Sequence, residues 1–320
     1  MADYPLYPLP LSPTLHVKVW GGRQLAAALG KRLPTPDPYG ESWELHDTAA
    51  VAAGPLAGRT LGELLAERGP ALVGPHNDPA DGFPLLAKLI DAGDWLSVQV
   101  HPDDGHARAL EGQPRGKTEA WYILAAEPGA RLVVGVQPGT TRAQIAQAAR
   151  AGTLDSLLAY ANVSAGDALF IGAGTVHAIG GSILLYEIQQ SSDTTYRLYD
   201  WGRLDLNGQP RTLHIEKGVH VANVDDVPPI IHTAGARGPV VDIVQSPYFV
   251  TRLYRLAAGS ARLDTGGTHF HALTCIGGAA RLAWASGNIA LETGQTVLVP
   301  ACTGPYRLDG RAQVLCSQQA

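Results

Sequence analysis

A chain of 320 residues is too long for one small core and predicts two domains or one elaborated domain. Apolar side chains make up 45% of it, enough to bury a sizeable core, and no run of about 18 apolar residues predicts a membrane span. With 24 basic against 29 acidic side chains the net charge is −5, which argues against a nucleic-acid or anionic-membrane partner but allows a local basic pocket.

The first fifteen residues carry four prolines and read as an extended arm, with no basic segment followed by an apolar one that would mark a secretory leader. A soluble, cytoplasmic protein is expected. Cys275, Cys302 and Cys316 form no CxxC pair and fit reduced, ordinary thiols. Leu15 to Trp20 alternates like a strand, Gly21-Gly22 breaks it, and a short helix is predicted over 23–29. Residues 41–45 form another strand candidate. The stretch 60–68 opens with Thr60 three residues before Glu63, a helix-start signature. The run 83–90 is apolar except for Lys88, whose ammonium either snorkels to the surface or faces a pocket.

Two short alternating runs follow, 97–101 and 117–121, joined by a polar connection with Pro and Gly. Side chains two apart share a strand face, so Gln99 and His101 point one way, as do Lys117 and Glu119. Beyond a strand at 132–136, the segment 140–160 is rich in Ala, Gln and Leu and is predicted helical, divided at Gly152. Strands are predicted around 166–171 and 183–189, with a glycine turn, Gly172-Ala173-Gly174, leading to His177. The stretch 227–239 is the linker candidate. From Val240 onward only short alternating runs with Gly-rich turns remain, so the last third reads as all-β.

Gln99, His101, Glu119 and His177 can be assembled by spacing, with Glu119 expected on a strand neighbouring Gln99 and His101. Two imidazoles and two oxygen donors suit a borderline divalent ion, zinc first. A neutral Gln ligand leaves the ion a good Lewis acid. Gln99 and His101 alone fit the solvated side of a strand better; Glu119 and His177 in the right strand order favour the metal.

The order of these pieces resembles a cupin, the double-stranded β-helix barrel. Its first motif sets two ligands at i and i+2 with a carboxylate on the next strand. Its second motif is matched from Gly166 to His177 at every position except Gly172, where the pattern has Pro. Gln99 stands where many cupins have His, and the His101 to Glu119 connection is long. That departure, with FPLLAKLIDAGDWLSVQVHPDD, GKTEAWYIL, GTVHAIG, LYEIQQSSDTTYRLYDWGR and RTLHIEK, resembles type I mannose-6-phosphate isomerase in its short bacterial form.

The resemblance implies a mainly β fold of two cupin-type (jelly-roll) barrels with a small helical insertion. It places a catalytic domain at 1–228, including the arm and the helical segment 140–160, and a C-terminal cupin-like domain without a metal site at 229–320. It implies one Zn2+ per chain on Gln99, His101, Glu119 and His177. Lys117 matches an active-site lysine, Lys88 and Ser97 match pocket residues with a phosphate-contact role, and Glu187 and Asp193 match acidic pocket residues. Arg197, a surface strand arginine if taken alone, matches an arginine that acts on the reacting carbons.

The implied reaction interconverts mannose 6-phosphate and fructose 6-phosphate through an enediol-type proton transfer. A dication beside an amine favours its neutral form, which puts Lys117 ahead as base, with Glu187, Asp193 and a zinc-bound water as rivals. A non-enzymatic zinc cupin that senses a sugar phosphate, and an isomerase of another phosphorylated aldose, are the alternatives. A monomer or weak homo-oligomer is expected. In the C-terminal part, His269 and His271 open a cupin-like motif, but Cys275 and Ile276 stand where Glu is expected and Cys302 and Pro305 where Gly and His are expected. Structural support or an oligomer contact is the expectation there.

Overall fold

The computed structural model describes residues 5–320, so the first four residues of the predicted arm lie outside the described residues. The architecture is mainly β, as expected for cupin barrels. One sheet orders the strands Ile231–His232, Asp167–Ile171, Glu119–Ala126, Ile183–Gln190, Leu85–Ala92, Thr14–Gly22 and Tyr39–Leu45. A smaller sheet orders Tyr196–Tyr199, Val98–Val100, His177–Ile179, Arg131–Val136 and Leu158–Asn162. Their inner faces share one core, in which Ile90, Trp121 and Ile123 of the first sheet meet Leu132, Val134 and Ile179 of the second. Together they form the site-bearing barrel.

A third sheet is built mainly from the chain beyond residue 240, in long strands such as Phe249–Asp264, His271–Trp284 and Pro305–Gln319. Its apolar side chains, among them Phe249, Phe270 and Leu315, pack against Leu85, Ala87, Leu89, Tyr186 and Ile188. Strands Leu85–Ala92 and Ile183–Gln190 are therefore buried on both faces along their whole length. This explains their near-continuous apolar runs. It also decides Lys88: with Leu85, Ala87 and Leu89 turned to the third sheet, the alternate positions, Lys88 among them, face the barrel interior.

The helix at 61–73 begins where its sequence signature predicts. Thr60 Oγ1 accepts from Glu63 N while Glu63 returns a bond to Thr60 N. That box is worth about 1 kcal/mol. Leu61, Leu64, Leu65 and Leu72 are buried on one face, and the helix bends at Arg68, ahead of Pro70.

One expectation is corrected and three further segments gain detail. The segment 140–160 is helical only over Arg142–Ala151; Gly152 caps that helix in the left-handed region at φ 72°, a 3-10 turn follows, and Leu158–Asn162 is a strand. The reason is nonlocal: Ala161 and Tyr160 pair with Leu132 and Val133. The connection between His101 and Glu119 contains a helix, Asp104–Glu111, capped by Asp103 through His106 N at 2.7 Å. The linker candidate 227–239 contributes Ile231–His232 to the first sheet, beside Ala168 and Asp167. The arm is equally committed, since Leu9–Ser12 joins the third sheet against Leu298 and Val297.

Candidate active site

Register places the site. In the smaller sheet Gln99 lies directly opposite both Arg197 and His177, so these three side chains form one row across three strands. In the larger sheet Glu187 lies opposite Lys88 and Trp121, and Glu119 opposite Gln189 two residues along. The two rows confront each other across the barrel. Glu119 is thus not on a strand neighbouring Gln99 and His101, as the spacing predicts; it reaches the cluster from the opposite sheet. Barrel closure brings it there, which strand alternation alone does not encode.

His101, Glu119 and His177 are buried, and one donor atom from each lies within 4.8 Å of the others. His177 Nε2 is 3.3 Å from Glu119 Oε1, and His101 Nε2 is 3.5 Å from Glu119 Oε2. Tetrahedral bonds of ~2.05 Å have edges of about 3.3 Å, so these spacings suit a zinc-sized ion. The outer nitrogens are held by carbonyls: His101 Nδ1 is 2.9 Å from Thr194 O, and His177 Nδ1 is 2.9 Å from Thr175 O. Both Nε2 lone pairs therefore face the cluster. Gln99 meets His177 Nε2 through its amide at 3.3 Å; turning that amide over presents its oxygen instead.

The electrostatics also fit a cation. Glu119 Oε1 is buried without a hydrogen-bond partner. Burial, then the nearby Glu187 charge, raises the Glu119 carboxyl to about 7, so the anion calls for a compensating positive charge. Burial and then Lys117 keep both imidazoles neutral, pushing His101 well below its ordinary value and His177 down to about 4. The Lys117 ammonium touches Glu119 Oε2 and lies 3.0 Å from His101 Nε2. Lys117 sits just before its strand, its backbone N–H bonded to Pro102 O at 2.9 Å.

His177 depends on the turn before it. Gly174 has φ 91°, and a Cβ there would lie 3.0 Å from Val221 O. Its N–H donates to His101 O at 2.8 Å, joining the segments that carry the two histidines. Gly172, in place of the pattern's Pro, leaves this turn intact: Thr175 N bonds Gly172 O at 3.1 Å.

Beside the cluster opens a cavity of about 390 Å³. Seven of the ten predicted site residues line it, Lys88, Ser97, Gln99, Lys117, Glu187, Asp193 and Arg197; the other three are the His-Glu-His group. Lys88 Nζ donates to Glu187 at 2.9 Å and to Gln189 at 2.7 Å, and Trp121 Nε1 donates to Glu187 at 2.9 Å. Burial opposes the Glu187 charge, yet Lys88 and then Lys117 hold this carboxyl down at about 2. Arg197 Nη1 donates to Thr212 O at 2.9 Å, its Nε is buried without a partner, and among the described residues no carboxylate pairs with it. Asp193 stands exposed between this cavity and a smaller one of about 250 Å³.

Sequence reasoning missed His16, Lys18, Trp20, Glu41, Trp43 and Arg211, all of which line the cavity. His16, Lys18 and Trp20 alternate on one strand, a signal that was available; Arg211, within RTLHIEK, had no periodicity to mark it. In the C-terminal part His271 is engaged with Tyr306 Oη at 2.7 Å.

Comparison with known proteins agrees along the whole chain. Residues 9–123 match the family model for the catalytic domain of type I phosphomannose isomerase, and 240–319 match the mannose-6-phosphate isomerase cupin domain. The mannose-6-phosphate isomerase of Streptococcus mutans is 35% identical over 318 residues, covering 97% of this chain and 98% of the relative. Mannose-6-phosphate isomerase ManA of Bacillus subtilis is 35% identical over 317 residues, with coverage of 97% and 98%. The crystal structure of the mannose 6-phosphate isomerase from Bacillus subtilis superposes with a TM-score of 0.88 at 32% identity, over 98% of this chain and 99% of that one. On this full-length agreement the chain belongs to the type I mannose-6-phosphate isomerase family, and it is an isomerase.

Proposed function

We propose that the protein is a zinc-dependent isomerase that interconverts D-mannose 6-phosphate and D-fructose 6-phosphate. The observation that carries this reading is the polarity of the cavity. At one end is a neutral-imidazole and carboxylate cluster suited to a cation; along the same wall stands Arg197, a guanidinium with no carboxylate partner among the described residues. Gln99, His101, Glu119 and His177 would hold one Zn2+ per chain. When bound, the ion supplies Lewis-acid polarisation of the sugar's carbonyl and hydroxyl oxygens.

The proton on carbon 2 of the aldose is removed and an enediolate forms across carbons 1 and 2; the hydroxyl proton moves from O2 to O1, and a proton returned to carbon 1 leaves the carbonyl at carbon 2 of the ketose. Arg197 places fixed positive charge against the developing oxyanion, a contribution of a few kcal/mol. Lys117 is the base we assign. Glu187 is a poor rival because it already accepts from Lys88 and Trp121 and is held at about 2. Asp193, exposed at the cavity edge, is assigned to the substrate's hydroxyls. Lys88 keeps one N–H beyond its two bonds, and with Ser97 it is assigned to the far end of the sugar phosphate.

Residues 1–228 are proposed as the catalytic part and 229–320 as a C-terminal part without a metal role. A cytoplasmic setting, supported by three free cysteines, and a monomer or weak homo-oligomer complete the reading. Purified protein loaded with zinc should convert mannose 6-phosphate, and a chelator should stop it while the metal leaves in the ratio of one per chain. Absence of conversion by the zinc-loaded protein overturns the assignment; faster turnover of another phosphorylated aldose moves the substrate.

A further inference from the structure

We propose that Arg211, held in place by Asp200, is the guanidinium that reads the phosphoryl group of the substrate, with Asp200 as its positioning residue. This rests on the sugar-phosphate reading above and adds a residue pair to it. The cavity presents five basic side chains, Lys18, Lys88, Lys117, Arg197 and Arg211. Each lysine has a carboxylate of its own: Glu41 at 3.3 Å for Lys18, Glu187 at 2.9 Å for Lys88, and Glu119 in contact with Lys117. Away from the metal cluster, a dianionic phosphoryl group therefore finds surplus positive charge at the arginines: Arg197 has no carboxylate among the described residues, and Asp200 is divided between Arg211 and Arg203, the latter also 3.7 Å from the exposed Asp94.

Asp200 is buried, and its carboxylate serves two guanidiniums at once. Arg211 donates through Nε to Oδ2 at 2.7 Å and through Nη2 to Oδ1. Arg203 donates to Oδ1 through Nε at 3.1 Å and Nη2 at 2.8 Å. This clamp fixes the plane of the Arg211 fork and leaves Nη1 without a partner among the described residues, on a side chain that lines the cavity. The turn that carries Asp200 is itself pinned. Trp201, at φ 59°, donates from Nε1 to Leu96 O at 2.7 Å, next to Ser97.

The segment after Arg211 lies along the site strand, with His214 N bonded to Arg197 O at 2.7 Å and Arg197 Nη1 to Thr212 O at 2.9 Å. Arg197 and Arg211 thus face the same space. Burial, and next the Arg211 charge, push the Arg197 guanidinium below its ordinary value, a like-charge crowding that a bound dianion relieves. Arg197 shares its row with the ligand Gln99, whereas Ser97 lies one pleat repeat further along that strand, where the turn from Asp200 is tied. The arrangement puts Arg197 at the reacting carbons and Arg211 at the phosphoryl end.

The test compares zinc-loaded wild type with Arg211→Ala, Arg211→Lys, Asp200→Asn and Asp200→Glu. For each, kcat and KM for mannose 6-phosphate are measured together with the inhibition constant for inorganic phosphate. Arg211→Ala should raise both KM and the phosphate inhibition constant roughly 10- to 100-fold, the range for a lost hydrogen bond to a charged group, with kcat within about threefold. Asp200→Asn should move both constants the same way by a smaller factor, and Asp200→Glu should recover part of that change. An unchanged phosphate inhibition constant in Arg211→Ala, or a fall in kcat at constant KM, overturns the assignment of Arg211; wild-type constants in Asp200→Asn overturn the positioning role. If the wild type converts no mannose 6-phosphate, the functional reading fails on its own. Calorimetric titration with inorganic phosphate then decides the subsite: binding lost in Arg211→Ala supports it, and equal or absent binding in both proteins overturns it.

Discussion

Glu187→Gln isolates the buried charge pair behind the site. Lys88 is 7% exposed and Glu187 3%, so each charge rests chiefly on the other, with Gln189 and Trp121 as hydrogen-bond partners and Glu41 and Lys117 as further charges nearby. The substitution keeps the shape and an acceptor for Trp121 Nε1 but leaves the Lys88 ammonium without its counter-charge. Breaking one side of such a pair costs about 3–5 kcal/mol. With a urea m-value of about 3 kcal/mol per M, the upper end for single domains, the unfolding midpoint should fall by about 1–1.7 M. Tryptophan fluorescence reports on the barrel because Trp121 lies in its core and touches Glu187. The double variant Lys88→Met, Glu187→Gln removes the stranded ammonium and should regain at least half of the loss. A single variant within about 1 kcal/mol of wild type, or a double variant no more stable than the single, would refute the argument. The pH dependence has a fixed sign. Because the folded carboxyl sits at about 2, below its ordinary 4.5, its contribution is present above pH 4.5 and is lost as pH falls through the interval down to 2. Glu187→Gln should lack that acid limb.

Gly174→Ala should destabilise the fold by about 1–3 kcal/mol, because an L-residue is strained at φ 91° and its Cβ meets Val221 O. Bound zinc should fall with it, as the turn sets His177; full metal content in a destabilised protein would separate the turn from the ligand. Lys117→Met should abolish turnover while substrate still binds, and a variant that turns over normally but binds weakly would remove Lys117 as base. His271 is buried in the C-terminal part, where burial, then the His269 and Arg252 charges, push its imidazole down to about 4. Below its ordinary 6.5 the unfolded chain takes up the proton first, so stability should decline by about 3 kcal/mol between pH 6.5 and 4. In His271→Gln the midpoint measured at pH 7 and at pH 4.5 should differ by less than in wild type, and an identical difference would exclude His271 as the source.

Alternation and turn chemistry are local, and what they imply could be read without coordinates. Gln99 and His101 share a face because side chains repeat every two residues along a strand, and the helix at Thr60 starts where two side chains satisfy orphan backbone groups within one turn. The glycine turn before His177 is legible for the same reason, since only a residue without Cβ accepts that backbone comfortably. The motif order extended this to a family resemblance and hence to the fold class. Closure and contact are nonlocal. Whether Glu119 stands beside Gln99 or across from it depended on which sheet its strand joined, and the second half of 140–160 became a strand because an edge at 131–136 was waiting for a partner. Lys88 turned inward only because a third sheet, nearly 200 residues further along, covers the opposite face of its strand. Lys18 and Arg211 likewise have no spacing in common. They share a cavity wall because the barrel folded, and the balance of charge there, with a carboxylate for each lysine and Asp200 divided between two arginines, exists only in three dimensions.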